Sequence, residues 1–209
     1  MFENDLLERF SRIHPTLPFV AWLPVVAWMF HRAVKRGELG VLGIAGMFVI
    51  GLLCWTLTEY VLHRFVFHYF ENDPKRERIH FLLHGVHHDY PTDKDRLVMP
   101  LLMSQPVGWA ICIGLHLLLG GKLAEPAFAG FAIGYLTYDG THYALHKFKQ
   151  TSRIGKWMKR HHMRHHHMDH DGGFGVSSPL WDFVFRTMPT VKKPVGKSSA
   201  ELRDSAASG

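Results

Sequence analysis

Cysteine is almost missing from this chain of 209 residues: there are two, Cys54 and Cys112, and both sit inside apolar stretches. That excludes a disulfide framework and the thiolate ligands common in structural zinc sites. Both thiols read as small buried hydrophobes. No cleavable leader is expected from the first apolar run, Leu17 to Phe30, which follows a mixed-charge segment and is interrupted by Pro18 and Pro24. Basic patches interleaved with aromatics, as nucleic-acid binding would need, are not found. The cations flank apolar stretches, so the net charge of +6 points to an anionic lipid surface and not to nucleic acid.

What is present is segregation. Mean hydropathy is near zero, yet long apolar stretches alternate with segments crowded with Arg, Lys, Asp and His. Leu17 to Phe30 is short for a span, since about 20 apolar residues cross a bilayer core. Leu39 to Thr58 is a strong span without a charge, and Leu97 to Leu119 is another, broken by Pro100 and Pro106. Gly120, Gly121 and Pro126 predict a turn, after which Ala127 to Tyr138 continues as an apolar segment. The expectation is an all-α integral membrane protein of about four transmembrane helices, arranged as two hairpins. A single domain covers 1–190, and a Lys-, Ser- and Gly-rich tail over 191–209 is expected to be disordered. The polar segments, 59–96 and 142–209, carry Lys75, Arg76, Arg78, Lys94 and Arg96, then Lys147, Lys149, Arg153, Lys156, Lys159, Arg160 and Arg164; the loop between the third and fourth helices has only Lys122. The positive-inside rule therefore predicts a cytoplasmic cap. Arg32, Lys35 and Arg36 run against it, because a four-span arrangement puts their loop outside.

Histidine is abundant and patterned. Four groups stand out: His63 and His68; His84, His87 and His88; His142 and His146; His162, His165 and His166. The second and fourth share the pattern HxxHH, which places three imidazoles on one helical face, and HxxxH places two. His63 and His68 are five apart, roughly 140° around a regular helix, so they serve different metals or the helix is distorted there. Two spans separate the second group from the third, and an even number returns the chain to the same side. All four groups can therefore meet. Ten imidazoles exceed what one ion takes, which makes two metal ions the natural count, and nitrogen-only ligation beside a membrane suggests a redox metal acting on lipid. His14, His31 and His116 read as bystanders. So do His80, His161, His167 and His170, or as residues of the outer shell. Glu59 and Asp139, one turn before His63 and His142, are expected to accept from ligand rings and fix them, with Asp169 and Asp171 as weaker candidates. Trp55, Tyr60, Phe65, Phe67 and Trp181 are candidates to line a lipid path, and Gly172, Gly173 and Gly175 predict a bend folding the last segment onto the cap.

The stretches HRFVFH (63–68), HGVHHDYPTDKDRLVMP (84–100), YDGTHYALH (138–146) and HHMRHHHMDHDGGFGVSSPLWDFVF (161–185) resemble the fatty acid hydroxylase superfamily of membrane di-metal enzymes, which includes sterol desaturases. Within it, RLVMP and GFGVSSPLWD look most like the fatty acid 2-hydroxylases. The resemblance covers most of residues 55–190. It implies that all ten histidines named above are ligands, with two irons activating O2, although zinc can occupy such a site. It also implies hydroxylation at carbon 2 of a long acyl chain, free or within a sphingolipid. No HPGG haem motif occurs, so a separate cytochrome-b5-like or ferredoxin-type electron donor is expected. The same features favour a bacterial inner membrane, with the endoplasmic reticulum as the alternative. Other oxidations of the superfamily (of sterols, carotenoids or acyl chains) are the competing enzymatic reading, and a metal-handling membrane protein is the non-enzymatic one.

Overall fold

A computed structural model describes residues 12–68, 85–91 and 93–190. Helix α1, Leu17–Arg36, is longer than its apolar run predicts. Pro18 falls in its first turn, where a missing N–H costs nothing, and Gly37 closes it in a left-handed cap with its N–H on the Val34 carbonyl. At 20 residues it is long enough to span. Helix α2, Val41–Val61, runs on into a π-helical turn, Leu62–Phe67. After the short α3, Val86–Asp89, and a 3-10 turn at Lys94–Arg96 comes α4, Leu101–Lys147. Helices α5, Arg153–His167, and α6, Leu180–Val184, complete the cap. No strand occurs among the described residues.

Among the described residues three helices are long and apolar enough to cross a membrane, and the third folds back on itself. The backbone leaves helical geometry at Gly120 (φ 70°, ψ 160°), a conformation glycine adopts without a Cβ penalty. The two limbs lie antiparallel: the Met99 N–H, just before the first, donates to Asp139 Oδ1 of the second at 3.3 Å. The predicted turn is therefore present, but the returning limb begins at Gly121 and carries Pro126 within it, not at Ala127.

The principal packing is α2 against the second limb of α4. A Cβ on Gly51 would lie 1.9 Å from the Ala127 carbonyl oxygen, and one on Gly130 would lie 2.0 Å from that of Phe48. Two helices this close have no room for side chains at the crossing. Small residues there raise dispersion contact where lipid offers no hydrophobic drive. Around the crossing, Trp55 packs edge-on to Phe131 and Tyr135, and Trp22 of α1 packs edge-on to Phe128.

At the Gly120 end, Arg32 Nε and Arg36 Nη2 both reach Glu125 Oε1, at 2.8 and 3.2 Å, and Glu125 is fully buried. Two of the three cations that ran against the charge rule, Arg32 and Arg36, are thus ion-paired to a carboxylate of the returning limb. They lie at the end of the bundle opposite the histidines.

Candidate metal centre

Nine of the ten predicted histidines are described, and all nine converge; His84 lies outside the described residues. They form two groups. His87, His142, His146, His162 and His166 make one; His63, His68, His88 and His165 make the other; within each, the ligand atoms lie within 4.8 Å of one another. The groups adjoin: His88 stacks on His166 with ring centroids 4.2 Å apart.

Local geometry explains the sorting. The π-helical turn carries i→i+5 hydrogen bonds, so it brings residues five apart onto one face. His63 and His68 accordingly share a group, their rings 5.1 Å apart, which settles the choice left open by their spacing in favour of a distorted helix. His142 and His146 lie one α-helical turn apart and share the other. The HxxHH patterns do not act as units. On α5, His162 and His166 point to one group and His165 to the other, and on α3 the neighbours His87 and His88 divide likewise.

Ring orientation is set by backbone carbonyls. His63 Nδ1 lies 2.7 Å from the Phe174 carbonyl oxygen, His142 Nδ1 2.8 Å from that of Leu97, and His165 Nδ1 2.9 Å from that of Gly172. A neutral ring that donates from Nδ1 presents a lone pair at Nε2, the form a metal needs. Glu59 and Asp139, expected on the rings, touch no ring among the described residues and stand one step behind. Glu59 accepts from the Val176 and Ser177 N–H groups (2.6 and 2.8 Å) and the Ser177 hydroxyl, holding the segment that presents Phe174. Asp139 accepts from Met99 N–H, two residues beyond Leu97. Helix geometry is the reason, since both carboxylates lie down the helix from the imidazole and reach the crossing loop first.

A further buried carboxylate, Asp182, had no predicted role. Its oxygens accept from the N–H groups of Phe174 and Gly175 (3.0 and 2.8 Å) and the Thr187 hydroxyl (2.8 Å), and His161 Nε2 lies 3.2 Å away. Its signal in the sequence was an acid inside the apolar run PLWDFVF. The predicted bend is present at Gly173 (φ 82°), whose N–H reaches the Thr187 carbonyl at 2.7 Å. Asp169 is buried and holds the Thr190 N–H and hydroxyl, while Asp171 is exposed.

The residues fit a metal. In the larger group Nε2 of His142, His87, His166, His162 and His146 follow one another at 2.8, 3.0, 3.1 and 2.8 Å. His142 faces inward with a lone pair, so a hydrogen on His87 Nε2 that satisfies it cannot also satisfy His166. Protons alone cannot bond every contact, whereas one cation can accept them all. In the smaller group His165 Nε2 is buried without a hydrogen-bond partner. Burial, then the neighbouring imidazoles, hold the cap rings neutral. His87, His88, His162 and His166 are pushed far below the usual imidazole range, and His165 is lowered to about 3.

Against the centre lies a narrow slot between the helices, lined almost wholly by apolar side chains. Trp55, Leu62, Met99 and Tyr135 form its inner part, next to His63 and the Leu97 segment; Trp22 and Gly108 form its outer part. Of the five predicted lining aromatics, Trp55 alone lines it. Tyr60 bonds Thr187 and stacks on Phe185, Trp181 Nε1 donates to the Thr56 hydroxyl, Phe67 packs near His63, and Phe65 is exposed. Those four lie on turns of the helices that face the cap or the outside, not the slot.

Comparison with known proteins agrees with this arrangement. The fatty acid hydroxylase family model matches residues 48–187. A dihydroceramide fatty acyl 2-hydroxylase of Arabidopsis thaliana is 41% identical over 180 residues, covering 84% of this chain and 73% of that protein. The fatty acid 2-hydroxylase of Rattus norvegicus is 35% identical over 211 residues, covering 90% of this chain and 56% of that one, so the chain spans about half of the mammalian protein. A solved structure of full-length scs7p, with only its hydroxylase domain visible, superposes with a TM-score of 0.81 at 37% identity, covering 94% of this chain and 74% of that one. An all-helical integral membrane protein with two adjoining histidine groups, the chain belongs to the fatty acid hydroxylase family, whose members are oxidoreductases.

Proposed function

We propose that the chain is a membrane-bound, O2-dependent hydroxylase that places a hydroxyl on carbon 2 of a long acyl chain, free or amide-linked in a sphingolipid. The observation that carries this reading is the two nitrogen-only histidine groups beside the inner part of an apolar slot between the spans. The relatives named above act on the same chemistry by their names. The proposed ligands are His63, His68, His84, His87, His88, His142, His146, His162, His165 and His166. Two metal ions, iron in the active protein even where zinc is found bound, would supply with O2 the oxidant for an unactivated C–H bond, which no side-chain acid or base can break.

The protein's part is placement. The slot runs beside the helix from Phe128 to Tyr135, about 10 Å, and offers an acyl tail an apolar path between the spans. The tail enters from the bilayer and leaves carbon 2 beside the histidines. The Leu97, Gly172 and Phe174 carbonyls hold three rings in the orientation the ions need. Electrons come from a carrier protein of cytochrome-b5 or ferredoxin type. We read four crossings with the cap on the cytoplasmic side, a reading supported by the Gly120 fold-back and the basic cap segments. The proposed membrane is the bacterial inner membrane, with the endoplasmic reticulum as the alternative, and fractionation of the source cells separates them.

Incubation of the membrane-embedded protein with lipid, a reductant and labelled O2, followed by lipid mass spectrometry, tests the reaction. One labelled oxygen on carbon 2 is the expected product. Label elsewhere, or a new double bond, replaces the 2-hydroxylase reading with another oxidation of the superfamily.

A further inference from the structure

Helix α5 has two unlike faces. At 3.6 residues per turn, Arg153, Trp157, Arg160 and Arg164 cluster roughly 160° from His162, His165 and His166. The histidine face is buried in the centre, so the basic face points away from it and from the spans. Arg153, Trp157 and Arg160 are exposed, and among the described residues neither Arg160 nor Arg164 forms an ion pair. Trp157, Arg160 and Arg164 join Met188 and Pro189 around a surface recess of about 240 Å³, with His161 at its floor.

From that floor a continuous chain of contacts leads inward. Trp157 stacks on His161, with centroids 5.6 Å apart and planes 25° apart. His161 Nε2 lies 3.2 Å from Asp182 Oδ2, Asp182 Oδ1 accepts from the Phe174 N–H at 3.0 Å, and the Phe174 carbonyl oxygen lies 2.7 Å from His63 Nδ1. We propose that the Trp157–Arg160–Arg164 face of α5 is the docking surface for an acidic electron-carrier protein, and that the Trp157–His161–Asp182–Phe174 chain is the route from it to His63.

The inference rests on the hydroxylase reading. Each turnover breaks one C–H bond, forms one C–O bond and sends the second oxygen atom of O2 to water. That takes two electrons and two protons, so a one-electron carrier must dock twice. Opposite charge at such a face speeds encounter and fixes orientation. A carrier with an acidic rim and an exposed redox group fits the basic recess. An anionic bilayer fits it less well, because this face lies on the side of α5 away from the spans.

The test uses the full chain in nanodiscs and, as probe, a soluble cytochrome b5 haem domain, which is acidic. Arg153→Glu with Arg160→Glu should weaken binding of the oxidised probe, measured without turnover, by about tenfold or more at low salt, and should flatten its salt dependence. Probe-driven hydroxylation should fall in parallel while dithionite-driven hydroxylation is retained. Trp157→Leu should slow probe-driven reduction more than it weakens binding. Unchanged probe binding in the charge-reversed protein overturns the proposal, as does equal loss with dithionite. A defect seen in nanodiscs with anionic lipid and missing in neutral ones assigns the face to the membrane instead. If the unaltered protein yields no 2-hydroxy lipid with dithionite and O2, the hydroxylase reading itself has failed.

Discussion

His142 shows how little freedom a ring in this centre has. Its Nδ1 is anchored on the Leu97 carbonyl, Tyr138 stacks on it with planes 15° apart, and its Nε2 meets that of His87 at 2.8 Å. Replacing it removes a nitrogen no neighbour can supply. His142→Ala should abolish lipid hydroxylation and lower bound metal, read by product analysis and elemental analysis of the purified protein. Asp182 acts at one remove. It clamps the loop whose Gly172 and Phe174 carbonyls orient His165 and His63, both in the four-histidine group. Asp182→Asn loses one of two accepting oxygens and should weaken metal retention at that group by about 10- to 100-fold, the usual cost of losing support behind a ligand. Metal content should then fall from two towards one per chain; unchanged stoichiometry on dialysis against a chelator would count against this role. The convergence of the histidines was legible in the sequence because imidazole has few other uses at helical spacing. Their props were not: three are main-chain carbonyls, invisible to residue type, and Asp182 is an ordinary acid until the loop closes over it.

At the scale of elements, the crossing of α2 and α4 decides where the histidines end up. Gly51 and Gly130 face backbone carbonyls at distances no Cβ tolerates, so the helices must separate if either gains a side chain. Gly130→Ala should cost about 3 kcal/mol or more by overpacking against rigid backbone. By the usual scaling this lowers the apparent melting temperature in detergent by about 6–12 °C. Gly46, with nothing near its missing Cβ, serves as the control and should tolerate alanine. Span existence was readable from hydropathy alone, as was the turn at Gly120. Boundaries were not, because α1 gains its last turn through a glycine cap and the second limb of α4 starts before its proline. The π-helical turn was only half readable: a five-residue spacing of two histidines signals a choice between two sites and a distorted helix, and packing makes the choice.

For the whole molecule, the cost of gathering so many imidazoles shows in its pH dependence. Burial keeps His165 neutral down to about 3, and His87, His88, His162 and His166 are lowered too, whereas an unfolded histidine titrates near roughly 6.5. Below that value the unfolded chain takes up protons that the folded chain refuses. Stability is therefore present above about 6.5 and is lost as the pH falls. The metal-free protein should melt at progressively lower temperature from pH 7 to pH 5. Added metal should shift the curve upward at pH 7 and less at pH 5, since protons compete for the same nitrogens. A flat profile would mean the rings are less buried than described.

The two histidine groups also have a consequence for biosynthesis. The smaller draws on His63 and His165, which are 102 residues apart, and the loop that orients both ends at Phe174. The larger draws on His87 and His166. Neither group can be completed on a nascent chain until the spans before α5 are in place and α5 has emerged, and the smaller also waits for the loop beyond it. Metal capture is thus confined to the end of assembly, and a loaded centre certifies that the membrane part has already been built in the right order.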